Sequence, residues 1–183
     1  MRYLLILFFF LTSCDFSPAI ESPQLGDKID SLNGVFVYEN VSMGNVSGRN
    51  VTPDGYNLGL KYQCVEFVKR YYYQHLNHQM PNSYGNAKDF FNKSLDDGQL
   101  NIDRNLLQYS NGGKYVPNIG DLIVFDGTIF NSFGHVAIIS NVKADEVEII
   151  QQNCSRTREV LTMNVSNDSY TIETHNVLGW LRK

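Results

Sequence analysis

The chain has 183 residues, 43% of them hydrophobic and 19% charged, with a formal net charge of −4. That length suits one domain with a proper core, and the composition excludes a disordered chain. A mildly acidic balance without a polybasic run argues against nucleic-acid binding and against attraction to anionic lipid.

The amino terminus, "MRYLLILFFFLTSC", has one positive charge, an apolar run over residues 3–11, and small polar residues before Cys14. The run is too short to span a bilayer but fits the core of a secretory signal. Leu11-Thr12-Ser13-Cys14 is similar to a bacterial lipobox. Residues 1–13 are therefore expected to be a lipoprotein signal peptide and Cys14 the lipidated residue; an ordinary signal peptide cut elsewhere is the alternative. Acyl chains contribute about 0.8 kcal/mol per buried methylene, enough to anchor a soluble domain. Residues 14–32 then read as a polar tether, and residues 33–183 as one domain. The expected location is the cell envelope, held at a membrane by the lipid and facing the periplasm or the exterior.

Residues 34–40 ("GVFVYEN") have strand character and lead into a loop rich in Gly and Asn that runs to Leu60. From Cys64, the residues Val65, Val68, Tyr72 and Leu76 keep helical spacing, with Glu66, Lys69 and Arg70 off that stripe. A second helix is predicted over about 84–95, after the start signal Pro81-Asn82-Ser83. Residues 96–120 read as loop. The period then changes to strands at 121–125, 135–142, 146–153, 169–174 and 177–182. Helices first and antiparallel strands afterwards make an α+β fold, its N-terminal helices packed on a mostly antiparallel sheet.

With Cys14 assigned to lipid, Cys64 and Cys154 remain, and in an oxidising compartment a disulfide is the default for such a pair. Cys64 instead stands where the helical pattern begins. The partial positive charge and free N–H groups of a helix amino terminus favour a thiolate, although a small buried hydrophobe would occupy the same position. His135 opens a very apolar strand after "GTIFNSFG", where it can face a cleft and carry protons, or simply pack against the loop. If the strand ending "IIQQNCS" keeps its period of two, Gln151 and Asn153 point together and either can fix the imidazole tautomer. Cys154 would then face the opposite side. His75 and His78 have no evident metal partner, so no cofactor or metal is expected.

With "YQCVEFVKRYY", "GDLIVF", "GHVAIIS" and "QQN" in this order, the chain resembles the CHAP family of cysteine, histidine-dependent amidohydrolases and peptidases. Within it the chain is most similar to the glutathionylspermidine-type amidases. The resemblance implies a papain-like α+β fold with Cys64 as nucleophile, His135 as general base and acid, and Asn153 as imidazole orienter. It places Gln63 at the border of an oxyanion pocket and Gln151 where members often carry glutamate. An arginine follows the nucleophile by five residues in some members; here Lys69 and Arg70 stand at that point, with Arg156 as a further substrate-binding candidate. The implied activity is that of a cell-envelope thiol amidase or endopeptidase acting on peptidoglycan peptides as a monomer. A glutathionylspermidine-type amidase and a non-catalytic wall-binding lipoprotein are the alternatives.

Overall fold

The computed structural model describes residues 22–174 and 176–183. The predicted signal peptide and Cys14 lie outside the described residues. The described chain opens with a hairpin of β1 (Lys28–Leu32) and β2 (Val35–Tyr38), so the last five residues of the expected tether form a strand. A second hairpin, β3 (Arg49–Val51) and β4 (Asn57–Leu60), occupies the stretch read as loop. Then comes α1 (Cys64–Gln74).

The architecture is α+β, but α1 is the one α-helix among the described residues where several were predicted. The second predicted helix is only a 3-10 turn, Ala87–Phe90, opened by a capping box between Asn86 and Asp89. Its neighbours are drawn elsewhere. The buried Arg104 guanidinium donates to the carbonyls of Asn82, Tyr84 and Asp89 at 2.5, 3.1 and 3.2 Å. Tertiary hydrogen bonds take carbonyls that a helix would have used, and local propensity loses. No helix among the described residues is long and apolar enough to cross a membrane.

The remaining strands are β5 (Gln99–Asn101), β6 (Leu106–Ser110), β7 (Leu122–Phe125), β8 (His135–Val142), β9 (Glu146–Ile150), β10 (Arg158–Ser166), β11 (Ser169–Ile172) and β12 (Val177–Arg182). They form one eight-stranded sheet in the order β11-β10-β9-β8-β7-β12-β6-β5, with every neighbouring pair antiparallel. Strands β5, β6 and β10 fall where no strand was expected. The sheet curls until β11 reaches the turn after β6, where Gly112 N–H donates to Tyr170 O and Tyr170 N–H to Gly113 O at 2.8 and 2.9 Å.

This curl explains why the central strands are apolar at every position rather than alternating. Leu122, Val124, Val136 and Ile138 face α1, meeting Phe67, Val68, Tyr71 and Tyr72. Ile123, Phe125, Ala137 and Ile139 face the inside of the curl, where Trp180, Leu161, Met163 and Ile172 close over them. A strand buried on both faces reads as a continuous apolar run. Burying a side chain such as Phe67 stabilises the fold by roughly 1.5–3 kcal/mol.

The helix is packed more deeply than its stripe implied. Glu66, Lys69 and Arg70 are buried together with the apolar residues. Glu66 and Arg70 form an ion pair of 2.6 Å one turn apart. Lys69 Nζ donates to the carbonyls of Asn57 and Ser83 and lies 4.7 Å from the Tyr56 ring. Burial, with Arg104 and Arg49 nearby, pushes its pKa down to about 7.

Candidate active site

Gln63 is the N-cap of α1, in extended conformation, and Cys64 is the first helical residue. The first intrahelical bond is donated by Phe67 N–H to Gln63 O, so the N–H groups before it are left for other acceptors. The thiol is partly accessible and not in a disulfide. Burial pushes its pKa up, but the charge of His135, a hydrogen bond from His135 and the backbone N–H groups of Val136 and Val65 outweigh that and bring it below the usual thiol range.

His135 is the first residue of β8, paired with Phe125 across the ladder. The chain enters it through Gly134, whose φ is +76°; a Cβ there would meet Phe125 O at 2.5 Å and Lys88 Cβ at 2.9 Å. Only glycine fits, so the approach to the histidine is fixed by the backbone. Burial opposes a charge on the ring, but Cys64 and Cys154 together hold its pKa well above the ordinary imidazole value. Thiol down and imidazole up have one cause, since each group in its charged form stabilises the other.

The hydrogen bonds around Gln151 fix the tautomer. Gln151 Nε2 donates to Arg156 O at 3.2 Å and to Glu159 Oε2 at 3.4 Å, both pure acceptors. Gln151 Oε1 therefore faces His135 Nε2, 2.9 Å away, and that nitrogen must carry its hydrogen. Nδ1 is left as the basic nitrogen for the thiol.

The imidazole partner is thus Gln151 and not Asn153. Strand β9 ends at Ile150, and Asn153 has a left-handed φ of 63°, so the period of two does not reach it. Asn153 instead donates to Gln63 Oε1 at 2.6 Å and to Met43 O at 3.1 Å, and accepts from Asn40 Nδ2 at 2.9 Å. Gln63 in turn donates to Asn45 O at 2.7 Å. Its side-chain amide is occupied with the 40–46 loop, so at the head of α1 only backbone N–H groups stay open to another acceptor.

Cys154 also departs from expectation. It is exposed and free, on the imidazole side, with Sγ 3.6 Å from His135 Nε2. Lys69 and Arg70 are buried and engaged, as described, and neither lines the cleft beside His135. Arg156 is exposed and lines a cleft beside His135.

The sequence reading missed Gln152, which is buried between the two halves of the site. It donates to Gln63 O at 3.0 Å and to Glu66 Oε2 at 2.9 Å, and accepts from Tyr38 N–H at 2.8 Å. This side chain ties the end of β9 to the head of α1. Only its place between Gln151 and Asn153 could have hinted at that. Among the described residues no His, Cys, Asp or Glu cluster has metal-binding geometry. His78 is bonded to Arg104 O at 2.8 Å and His75 to Asn33 Nδ2 at 3.1 Å.

The chain is 33% identical over 149 residues to the bifunctional glutathionylspermidine synthetase/amidase of Escherichia coli (strain K12), covering 73% of this chain and 23% of that protein. It is 29% identical over 122 residues to endolysin PlyTW of Staphylococcus phage Twort, covering 64% of this chain and 23% of the endolysin. The chain thus spans about a quarter of the length of each relative. The crystal structure of Ly7917 superposes with a TM-score of 0.40 at 14% identity, covering 78% of this chain and 59% of that one. Residues 53–153, the stretch that holds Cys64, His135, Gln151 and Asn153, match the CHAP domain, and the chain belongs to that family.

Proposed function

We propose that this domain is a cysteine-dependent amidohydrolase of the cell envelope that cleaves an amide bond in the peptide part of peptidoglycan. The observation that carries the reading is the placement of Cys64 at the head of α1 and His135 at the head of β8, with Gln151 holding the ring, and the opposed shifts of thiol and imidazole agree with it. Such a pair supplies a nucleophile and its proton carrier together. Cys64 attacks the carbonyl carbon while N–H groups at the head of α1 receive the developing oxyanion. The imidazolium then gives its proton to the departing amine, and water hydrolyses the thioester with His135 as base. The likeness to a named endolysin supports a wall substrate. The lipobox-like Leu11-Thr12-Ser13-Cys14 supports a place outside the cytoplasm, with Cys14 as anchor.

Purified sacculi provide the test. Wild type should release peptide fragments detectable by mass spectrometry, and Cys64→Ala should release none; equal release by the variant would end the mechanism. A thiol probe should label Cys64 well below pH 8. Labelling only near the free-thiol value of about 8.5 would favour a wall-binding module that does not cleave.

A second reading keeps the chemistry and changes the substrate to a glutathionylspermidine-like amide, favoured by the 33% identity to the bifunctional enzyme. Assaying that conjugate beside sacculi decides between them. Labelling with a fatty-acid probe, lost in Cys14→Ser, tests the anchor.

A further inference from the structure

A cleft of ≈ 490 Å³ opens beside the His135 ring, on the side where Gln151 and Cys154 stand. Its walls come from the 126–134 loop, through Thr128 and Asn131, and from the turn after β9, through Ser155 and Arg156. Most charges around it are engaged. Asp126 is paired with Lys93 at 2.7 Å, and Glu159 accepts from Gln151. Arg156 is different. Its carbonyl is fixed by Gln151, yet its guanidinium makes no hydrogen bond or ion pair among the described residues. By contrast, Arg49, Arg70, Arg104, Arg158 and Arg182 each donate to a side chain or carbonyl.

We propose that this cleft receives the amine half of the cleaved amide, and that Arg156 selects fragments whose amine-side residue bears a free carboxylate. This rests on the thiol-amidase reading above. Gln151 engages Nε2, so Nδ1 is the ring nitrogen left to serve Cys64. When the tetrahedral intermediate collapses, the C–N bond breaks and its electron pair stays on nitrogen, which takes the imidazolium proton; the acyl carbon keeps its bond to sulfur. The new amine rests against the ring, and its substituent runs past the ring into the cleft. There a guanidinium fork matches a carboxylate with two parallel N–H···O bonds. Since each step reverses along the same path, an added amino acid that enters the cleft can intercept the thioester. Its nitrogen bonds to the acyl carbon, the C–S bond breaks to give thiolate, and its surplus proton passes to the imidazole.

That reversal is the experiment. Muropeptides solubilised from sacculi with a muramidase serve as acyl donors. Both enantiomers of alanine, or of alaninamide at equal free-base concentration, serve as acceptors, and mass spectrometry reads the ratio of transfer to hydrolysis. In wild type this ratio should favour alanine over alaninamide by about tenfold or more, as expected of a charge-assisted hydrogen bond. Arg156→Ala should bring the preference close to one, and Arg156→Lys should restore part of it. Because a ratio is read, a general loss of activity cancels. Fragments released without preference, or a preference that survives in Arg156→Ala, would overturn the subsite alone. A wild type that releases no fragments would overturn the amidase reading and the subsite with it.

Discussion

Two stretches of chain meet at His135 and are built by opposite rules. In the 151–153 turn every side-chain amide is committed: Gln151 to the imidazole, Gln152 to α1, Asn153 to Gln63 and the 40–46 loop. The 126–134 loop is also held by hydrogen bonds, with Thr128 Oγ1 accepting from Phe130 and Asn131 N–H and Asn131 Nδ2 donating to Gly134 O. Yet it presents Ile129 and Phe130 to water at 93% and 94% exposure. One stretch positions the reacting groups and has nothing left to offer a ligand. The other has its backbone tied by hydrogen bonds and its tip side chains open to water.

The comparison can be broken most forcefully from the committed side. Glu66 answers both Arg70 and Gln152 inside the protein, so Glu66→Ala leaves a buried guanidinium without its counter-charge. The expected loss is about 3–5 kcal/mol, read as a lower midpoint in urea unfolding. A loss below 1 kcal/mol would mean that the network is not what holds the head of α1.

A smaller effect is expected in the turn itself. Gln151→Ala frees the ring and should lower kcat/KM by about 10- to 100-fold, or ~1.4–2.7 kcal/mol, with little change in stability. Gln151→Glu keeps the contact and adds a negative charge beside the imidazole. That charge favours imidazolium, so the alkaline limb of the pH–rate profile should move upward. The acid limb reports the lowered Cys64 pKa and should stay below the ordinary thiol range in both proteins. A Glu variant with an unshifted alkaline limb would remove Gln151 from the chemistry.

The smallest effect lies on the open side. Replacing Ile129 and Phe130 together by serine removes no packing, and stability should stay within about 0.5 kcal/mol of wild type. A larger drop would show that the tip supports the fold after all.

The sequence made one line of the site legible and hid the line beside it. Cys64 and His135 stand at the first residues of strongly patterned elements, which made them candidates, and the family motifs around them supplied the roles. Gln151 and Asn153 were placed on one face by carrying an alternating period past Ile150. The ladder stops there, and a left-handed Asn153 sends the chain another way. Lys69 and Arg70, off the apolar stripe, read as candidates for substrate because a helical stripe shows only the face toward the sheet. It does not show that the β1–β2 and β3–β4 hairpins bury the helix's other side. The second predicted helix failed for a related reason: Arg104, some twenty residues away, claims its neighbours' carbonyls. Long-range polar contacts leave no period to read.

Cys64 sits on α1, His135 on a strand 71 residues later, and Gln151 beyond the following one. A ribosome therefore finishes the sulfur long before it makes the groups that sharpen it. Until β8 and β9 have joined the sheet, the thiol has no imidazole to take its proton and behaves as any cysteine in an unfolded polypeptide. On the proposed mechanism, reactivity is thus a property of the completed tertiary structure, and a half-made or unravelled copy carries a blunt tool.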